Sequence, residues 1–451
     1  MNVTSTQKGT RKPKGKSAPI RTPKPLTAAS ASVAGICKVA ILGFGTVGSS
    51  VARILSEQKH APLRLTHICN RNVKRKKVDW LPGDIQWTED INDILWSDAD
   101  VVVEVMGGLK PAEDWIRRAL SAGKSVVTAN KQLIARSGPE LIALARKMKR
   151  HIAYGASVAG GVPVISGLQE GLAGDELFKI CGILNGTCNF ILSKIEATGA
   201  DFEKTLAEAQ ALGFAEADPT DDLEGLDARA KLAILTRVGL RSHVPPESIT
   251  CRTIRGIEPV DFDYSNQLGC TIRQISWAEV HGTHLLAQVK PTLVALTSPL
   301  ARVQGSQNLV MATGKFGGET VFGGHGAGGH PTAVAVVSDI IGITRVEHGE
   351  VQDVAEPVPA SPSVSADFTT RHYLRFTVKD RPGIIAALST IFEKCGINID
   401  SLLQRPGYLK SSLPFVVTLE ACEASAVNKA MRQIAKLDFL VKPCMDLPIL
   451  D

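Results

Sequence analysis

Residues 36–48 read ICKVAILGFGTVG, and the next ten read SSVARILSEQ. An apolar run that ends in Gly43-Phe44-Gly45-Thr46-Val47-Gly48 is a strand closed by a glycine turn. The following segment repeats apolar side chains at Val51, Ile54 and Leu55, which is helical spacing. Strand, G-x-G-x-x-G, helix is the arrangement that brings backbone amides and a helix N-terminus against a pyrophosphate. The alternative is a purely structural turn of an α/β protein.

The pattern continues on both sides of that turn. LRLTHICNR, ADVVVEVMGG and KSVVTANK read as strands and PAEDWIRRALSAG as a helix, and strands alternating with helices predict a parallel sheet covered on both faces. We expect a Rossmann-type, doubly wound α/β domain over residues 36–150, completed by about 309–350. In that last stretch a Gly-rich turn leads into a helix that packs back on the nucleotide domain. Residues 151–308 mix long helical stretches with strands and read as a second, mixed α/β domain for catalysis, substrate binding and dimerisation. Residues 351–368, rich in Pro, Ser and Ala, read as a linker. Residues 369–451 run strand, helix, strand, strand, helix, strand, the order of a ferredoxin-like unit.

Composition narrows the class. The 451 residues carry a formal charge of +6, but residues 1–35 hold seven basic side chains and no acid, leaving −1 for the rest. The basic character therefore belongs to a tail with little to bury, which reads as disordered. A neutral body gives no reason to expect a nucleic-acid partner. No run approaches 18 apolar residues, so no membrane span is expected. The tail lacks the apolar core of a secretory signal, and an organelle transit peptide remains open. The nine Cys form no CxxC pair, and Cys37, Cys69 and Cys181 sit in apolar, strand-like runs, which fits a reducing cytoplasm.

The second strand ends Asn70-Arg71-Asn72-Val73-Lys74-Arg75-Lys76-Lys77. NAD sites place a carboxylate near here for the ribose 2′-hydroxyl. This turn has none, and Arg71 offers a bidentate partner for a 2′-phosphate. We therefore expect NADP(H), with NAD possible and a solvated basic turn as the alternative.

Hydride transfer to a carbonyl needs an acid for the developing alkoxide. Two lysines qualify. Lys131 follows the strand Val126–Thr128 at the crevice where open α/β sheets bind ligands. Lys231 closes the segment GFAEADPTDDLEGLDARAK (residues 213–231), in which six acids precede it. If a helix starts near Gly225, Asp227 and Lys231 share one face. Glu216, Asp222 and Asp227 then suit a substrate ammonium group. An ordinary acidic helix start would look the same.

The ordered motifs GFGTVG, VVVEVMGGLKPA, GKSVVTANK, YGASVAGGVPVI, NGTCNFIL, GFAEADPTDDLEGLDARAK and GAGGHPTA resemble the homoserine dehydrogenase family from residue 38 to about 350. That resemblance implies reduction of L-aspartate-4-semialdehyde to L-homoserine by NADPH. Lys231 then matches the general acid/base and Lys131 a second active-site lysine near the cofactor. Glu216, Asp222, Asp227, Gly186 and Thr187 match substrate-site positions. Gly43, Phe44, Gly45, Thr46, Val47, Gly48, Arg71, Thr128, Lys131 and Gly328 match cofactor-contacting ones. The family also binds a monovalent cation, sodium or potassium, at carbonyls matched by Val158, Gly160 and Val162 and at a glutamate. Here that glutamate is Gly155, which removes a ligand.

The C-terminal unit, with Asp380-Arg381-Pro382-Gly383-Ile384 and Gly396-Ile397-Asn398-Ile399, resembles ACT domains. Such domains bind amino acids near that turn, which makes Asp380, Gly383 and Asn398 regulatory positions and threonine the expected inhibitor. A pairing module without ligand is the alternative. A homodimer or homotetramer is expected. Rival readings are an inactive amino-acid sensor and another NADP-dependent semialdehyde or amino-acid dehydrogenase. A kinase fusion is not expected, for want of room before Ile36.

Overall fold

The computed structural model describes residues 35–57, 62–349 and 359–450. Residues 1–34 of the expected tail and 351–358 of the expected linker lie outside them. Two sheets organise the described residues. The first is formed by β1 (Cys37–Leu42), β2 (Leu63–Cys69), β3 (Gln86–Thr88), β4 (Val101–Glu104), β5 (Ser125–Thr128) and β6 (Ile152–Ala153). Its order is β3-β2-β1-β4-β5-β6, every pair parallel, the order of a dinucleotide-binding sheet with its switch point between β1 and β4. Val39, Ile41, Val101, Val102, Val103, Val126 and Val127 are fully buried; β-branched residues suit strands covered on both faces.

The helix Gly329–Glu347 packs on this domain. Its Val336, Val337, Ile340 and Ile343 pack into one core with Val39, Ile41 and Val51, each burial contributing on the order of 2 kcal/mol. The residues just before it do something else. β11 (Gln307–Gly314) and β12 (Gly318–His325) form a hairpin in the second sheet, so only the helix completes the nucleotide domain.

The second sheet also contains β7 (Leu177–Ile183), β8 (Thr250–Cys251), β9 (Cys270–His281) and β10 (His284–Ala295), then β13 (Ser363–Ser365), β14 (Thr369–Val378), β15 (Ile399–Leu403), β16 (Leu413–Glu423) and β17 (Met445–Leu450). The main path is β12-β11-β7-β9-β10-β17-β14-β16-β15. The C-terminal unit has the expected βαββαβ order, with helices Ile384–Lys394 and Ala424–Ile434. Two details differ from expectation. The last strand is Met445–Leu450 rather than the run from Phe439, which meets only the end of β14, where Val441 N donates to the Thr377 carbonyl at 2.8 Å and Leu440 bridges Val378. Ser363–Ser365, within the stretch read as a linker, pair in parallel with His284–Leu286.

This unit is not appended by a tether. β17 pairs in parallel with β10 at Leu293 and Val294, and a buried polar network backs the joint. Arg375 Nε lies 2.7 Å from Asp261 Oδ1, which also accepts from Tyr373 Oη at 2.8 Å. Asp446 holds His372 Nδ1 at 2.8 Å and Arg252 at 3.0 Å. Burial raises the Asp261 carboxyl above its usual range despite Arg375 beside it.

Candidate active site

The three glycines after β1 have separate physical tasks. Gly43 has φ +102°, a conformation that L side chains avoid. A Cβ on Gly48 would fall 2.0 Å from the Gly43 carbonyl oxygen, so the helix Thr46–Glu57 could not approach the turn. A Cβ on Gly45 would meet nothing within 4 Å. Open space over the middle glycine is what a closely seated pyrophosphate needs. Phe44 N donates to Asn70 Oδ1 at 2.9 Å, tying the turn to the end of β2. Val47 lies in the first helical turn, and Gly328 (φ +116°) starts the segment that covers it. There, a Cβ on Gly329 would lie 2.7 Å from Ser50 Oγ and 3.0 Å from Thr46. Arg71 is exposed just past β2, followed by exposed Lys74, Arg75, Lys76 and Lys77; its guanidinium makes no ion pair among the described residues.

The two candidate lysines meet on one carboxylate. Lys131 begins the helix Lys131–Lys147 after β5, and Lys231 lies in the helix Leu226–Gly239, which starts at Gly225 (φ +79°). Lys131 Nζ is 2.6 Å from Asp227 Oδ1, and Lys231 Nζ is 2.8 Å from Asp227 Oδ2. Lys231 Nζ also donates to the Leu184 carbonyl at 2.8 Å. Asn185, which the sequence reading missed, joins the acids: its Nδ2 donates to Asp222 Oδ1 at 2.6 Å and Asp227 Oδ2 at 2.9 Å. Its Oδ1 caps the helix Gly186–Thr198 by accepting from Cys188 N. An Asn just before a helix was the available signal.

The electrostatics follow from this geometry. Burial opposes the charge on Asp227, but Lys231 and Lys131 outweigh it and hold the carboxyl far below its usual range. Burial likewise opposes the Lys131 ammonium, and Asp227 reverses the shift upward. Asp222 is raised by burial, with the Asn185 hydrogen bond pulling back. Gly186 and Thr187 stand at the same helix start. A Cβ on Gly186 would lie 2.7 Å from the Ser306 carbonyl oxygen, and Thr187 Oγ1 donates to the Phe214 carbonyl at 2.7 Å. Glu216 is exposed in the preceding turn, and its carboxylate makes no hydrogen bond or ion pair among the described residues.

Profiles of known families fall on these same elements. The homoserine dehydrogenase profile matches residues 163–341, its NAD-binding domain residues 43–155, and the ACT domain residues 372–439. Homoserine dehydrogenase from Synechocystis is 37% identical over 418 residues, covering 89% of this chain and 96% of the relative. The Bacillus subtilis enzyme is 38% identical, covering 86% and 92%. The chain belongs to the homoserine dehydrogenase family. The crystal structure of a homoserine dehydrogenase from Thiobacillus denitrificans superposes with a TM-score of 0.85 at 32% identity, covering 92% of this chain and 98% of that one. A hyperthermophilic archaeal homoserine dehydrogenase in complex with NADPH has a TM-score of 0.58 at 28% identity, covering 68% and 97%. The activity is therefore that of an NAD(P)-dependent oxidoreductase, with aspartate semialdehyde and homoserine as substrate and product, and the ACT domain implies regulation by an amino acid.

Within the homoserine dehydrogenase framework several expected positions acquire definite surroundings. Thr128 is fully buried and its hydroxyl turns inward: it donates to Glu104 Oε2 at 2.6 Å and accepts from Asn130 N at 3.0 Å. Val158 and Val162 are buried, and Gly160 has φ +45° with a Cβ that would strike the Gly326 carbonyl oxygen at 2.6 Å. Beside Gly155 stands an unexpected carboxylate. Gly155 N donates to Asp339 Oδ2 at 2.8 Å, and a Cβ on residue 155 would lie 2.7 Å from Asp339 Oδ1. In the ACT unit, Asp380 follows β14, Gly383 (φ +93°) precedes the helix Ile384–Lys394, and Asn398 Nδ2 donates to Glu420 at 3.1 Å.

Proposed function

We propose that the chain runs as an NADPH-dependent reductase of L-aspartate-4-semialdehyde, with Lys231 as the general acid and threonine as the feedback inhibitor. The observation that carries the first part is the pair of lysines drawn from two domains onto buried Asp227. The dinucleotide supplies the hydride when bound. Lys231 spends one N–H on Leu184 and one on Asp227, leaving a third for the substrate's carbonyl oxygen. As negative charge grows on that oxygen, Lys231 delivers its proton there; in the reverse direction it takes the hydroxyl proton back. Lys131 adds positive charge on the cofactor side. Asp227 orients both lysines and has little capacity left for a substrate ammonium, which makes Asp222 and Glu216 the acids for that group.

Homoserine-dependent NADP⁺ reduction tests this reading. Lys231→Ala should lower kcat by about 10²- to 10⁴-fold, the usual worth of a positioned acid, while NADP⁺ binding followed by fluorescence stays within twofold. An unchanged kcat refutes the assignment.

The preference for NADP(H) over NAD rests on Arg71 and the absence of a carboxylate at the end of β2. A monovalent cation fits the donor chemistry beside residue 155. Asp339 is half-buried and makes no ion pair among the described residues, so its ionised form has no counterion there, and Val158, Gly160 and Val162 bring backbone carbonyls to the adjoining turn. No step of the reaction is routed through that ion. Threonine would use the helix start at Gly383, where free N–H groups meet a carboxylate, together with Asp380 and Asn398. The outer edges of β12 and β15, unpaired among the described residues, support a homodimer or homotetramer. The nine free thiols fit a reducing compartment such as the cytoplasm, and no helix among the described residues is long and apolar enough to cross a membrane.

A further inference from the structure

Glu104 ends β4 beside the switch point and is fully buried. A carboxylate there makes no ion pair among the described residues. Its charge is met by three uncharged donors: Met106 N at 2.8 Å and Gly107 N at 3.2 Å on Oε1, and Thr128 Oγ1 at 2.6 Å on Oε2. A buried charge held only by neutral donors is a costly way to fill a core position, so stability alone does not account for it.

Each of its two oxygens controls one lip of the crevice. On the first lip, Gly107 and Gly108 both have positive φ (+73° and +71°), and a Cβ on either would meet nothing within 4 Å. The turn thus faces open space. It also touches the dinucleotide turn, since a Cβ on Gly43 would lie 3.0 Å from both Met106 Cγ and the Val105 carbonyl oxygen. On the second lip, Thr128 Oγ1 accepts from Asn130 N at 3.0 Å. Asn130 then donates from Nδ2 to the Gly108 carbonyl at 2.6 Å and caps the next helix by accepting from Leu133 N at 3.2 Å. The hydrogen bonds close a ring: Glu104, the 106–108 turn, Asn130, Thr128 and back. The residue after Asn130 is Lys131.

We propose that Glu104 is a positioning residue for hydride transfer, its carboxylate holding the backbone of Lys131 in register with the cofactor turn. This rests on the reading of Lys131 as an active-site residue. The role needs the charge. A glutamine whose oxygen serves Met106 and Gly107 presents its NH₂ to Thr128 Oγ1, which already accepts from Asn130. The hydroxyl proton then loses its acceptor and the arm to Lys131 loosens, while the 106–107 arm survives.

The test compares Glu104→Gln, Thr128→Val, Thr128→Ser and Lys131→Ala in homoserine oxidation, with active sites counted by cofactor titration. Glu104→Gln and Thr128→Val should each lower kcat per active site by about 10- to 100-fold, with KM for NADP⁺ and homoserine within about threefold. Thr128→Ser should restore kcat, and the double variant should be no worse than the worse single one, since both break the same arm. If Lys131→Ala lowers kcat but Glu104→Gln and Thr128→Val leave it within twofold, the role given to Glu104 is overturned. If Lys131→Ala itself leaves kcat unchanged, the reading of Lys131 fails instead. Fewer active sites at full kcat per site would mark Glu104 as structural and also overturn the proposal.

Discussion

Replacing Asp227 with Asn should move the alkaline limb of the pH profile. Both lysines lean on this carboxylate, at 2.6 and 2.8 Å, and its side chain is only 6% exposed. The amide keeps the volume and removes the charge. Two ammonium groups facing one uncharged amide then repel by about 2–4 kcal/mol at an effective dielectric constant near 20. Losing one partner of a buried pair costs a further few kcal/mol. The Lys131 side chain is 40% exposed, so water screens part of both effects, and about 2–3 kcal/mol remains. The site relieves this by releasing a proton more readily, so the alkaline limb moves to lower pH. The sign follows from the native shifts. Asp227 is held low, so its stabilisation is present above the ordinary carboxylate range and lost as pH falls well below it. Lys131 is held high, so its stabilisation is lost only as pH rises beyond the ordinary lysine value of 10.5. The assay is kcat/KM for NADPH-dependent reduction of L-aspartate-4-semialdehyde, the direction in which Lys231 must carry its proton, from pH 6 to 11, with urea unfolding at pH 7.5. An alkaline limb within about 0.3 unit of the native one, together with unfolding free energies within about 0.5 kcal/mol, would refute the clamp.

Two further outcomes follow from the same reasoning. Arg71→Ala should raise KM for NADP⁺ about 10- to 100-fold, the loss of one or two charge-assisted bonds, and leave NAD⁺ kinetics within twofold; equal effects on both cofactors would remove Arg71 from the 2′-phosphate. Asp339 is pushed up to about 7 by burial, with backbone donors at Gly155 and Ala156 only partly offsetting it. A raised carboxyl stabilises the fold while protonated and loses that contribution as pH rises through about 7. Asp339→Asn should therefore gain stability relative to the native chain between pH 5 and 8, by roughly 2–4 kcal/mol, with tetramethylammonium as the only cation. A pH-independent difference would exclude this.

What the sequence made legible was local. The glycine turn, the alternation of strands and helices and the i, i+4 pair Asp227–Lys231 all depend on neighbours within a few residues, and each appears at the expected place. Glu104 gave no sign of its role, because Thr128 is distant in sequence and a glutamate ending an apolar strand reads as an element boundary. Asp339 sits in a helix 184 residues after Gly155, and no local period pairs them. The spacing paired Asp227 with Lys231, but the approach of Lys131 to the same carboxylate, from a helix almost a hundred residues earlier, left no local signal. The joining of the C-terminal unit to the second sheet was hidden for the same reason: β10 and β17 are both apolar runs, and their pairing partner is a matter of topology.

That joint bears on how such a chain can be cut. The far side of β10 is shared by three segments: β13 along His284–Leu286, β8 along Gln288–Val289 and β17 along Leu293–Val294. A stop codon placed before Ser363 removes two of the three, and one placed just before the ACT domain removes β17; either leaves β10 with unpaired N–H and C=O groups flanked by apolar side chains. An edge of that kind recruits strands from other molecules. Shortening this gene to remove the ACT domain would therefore yield a sticky enzyme, and the proposed regulatory positions Asp380 and Asn398 are better changed one at a time in the intact chain.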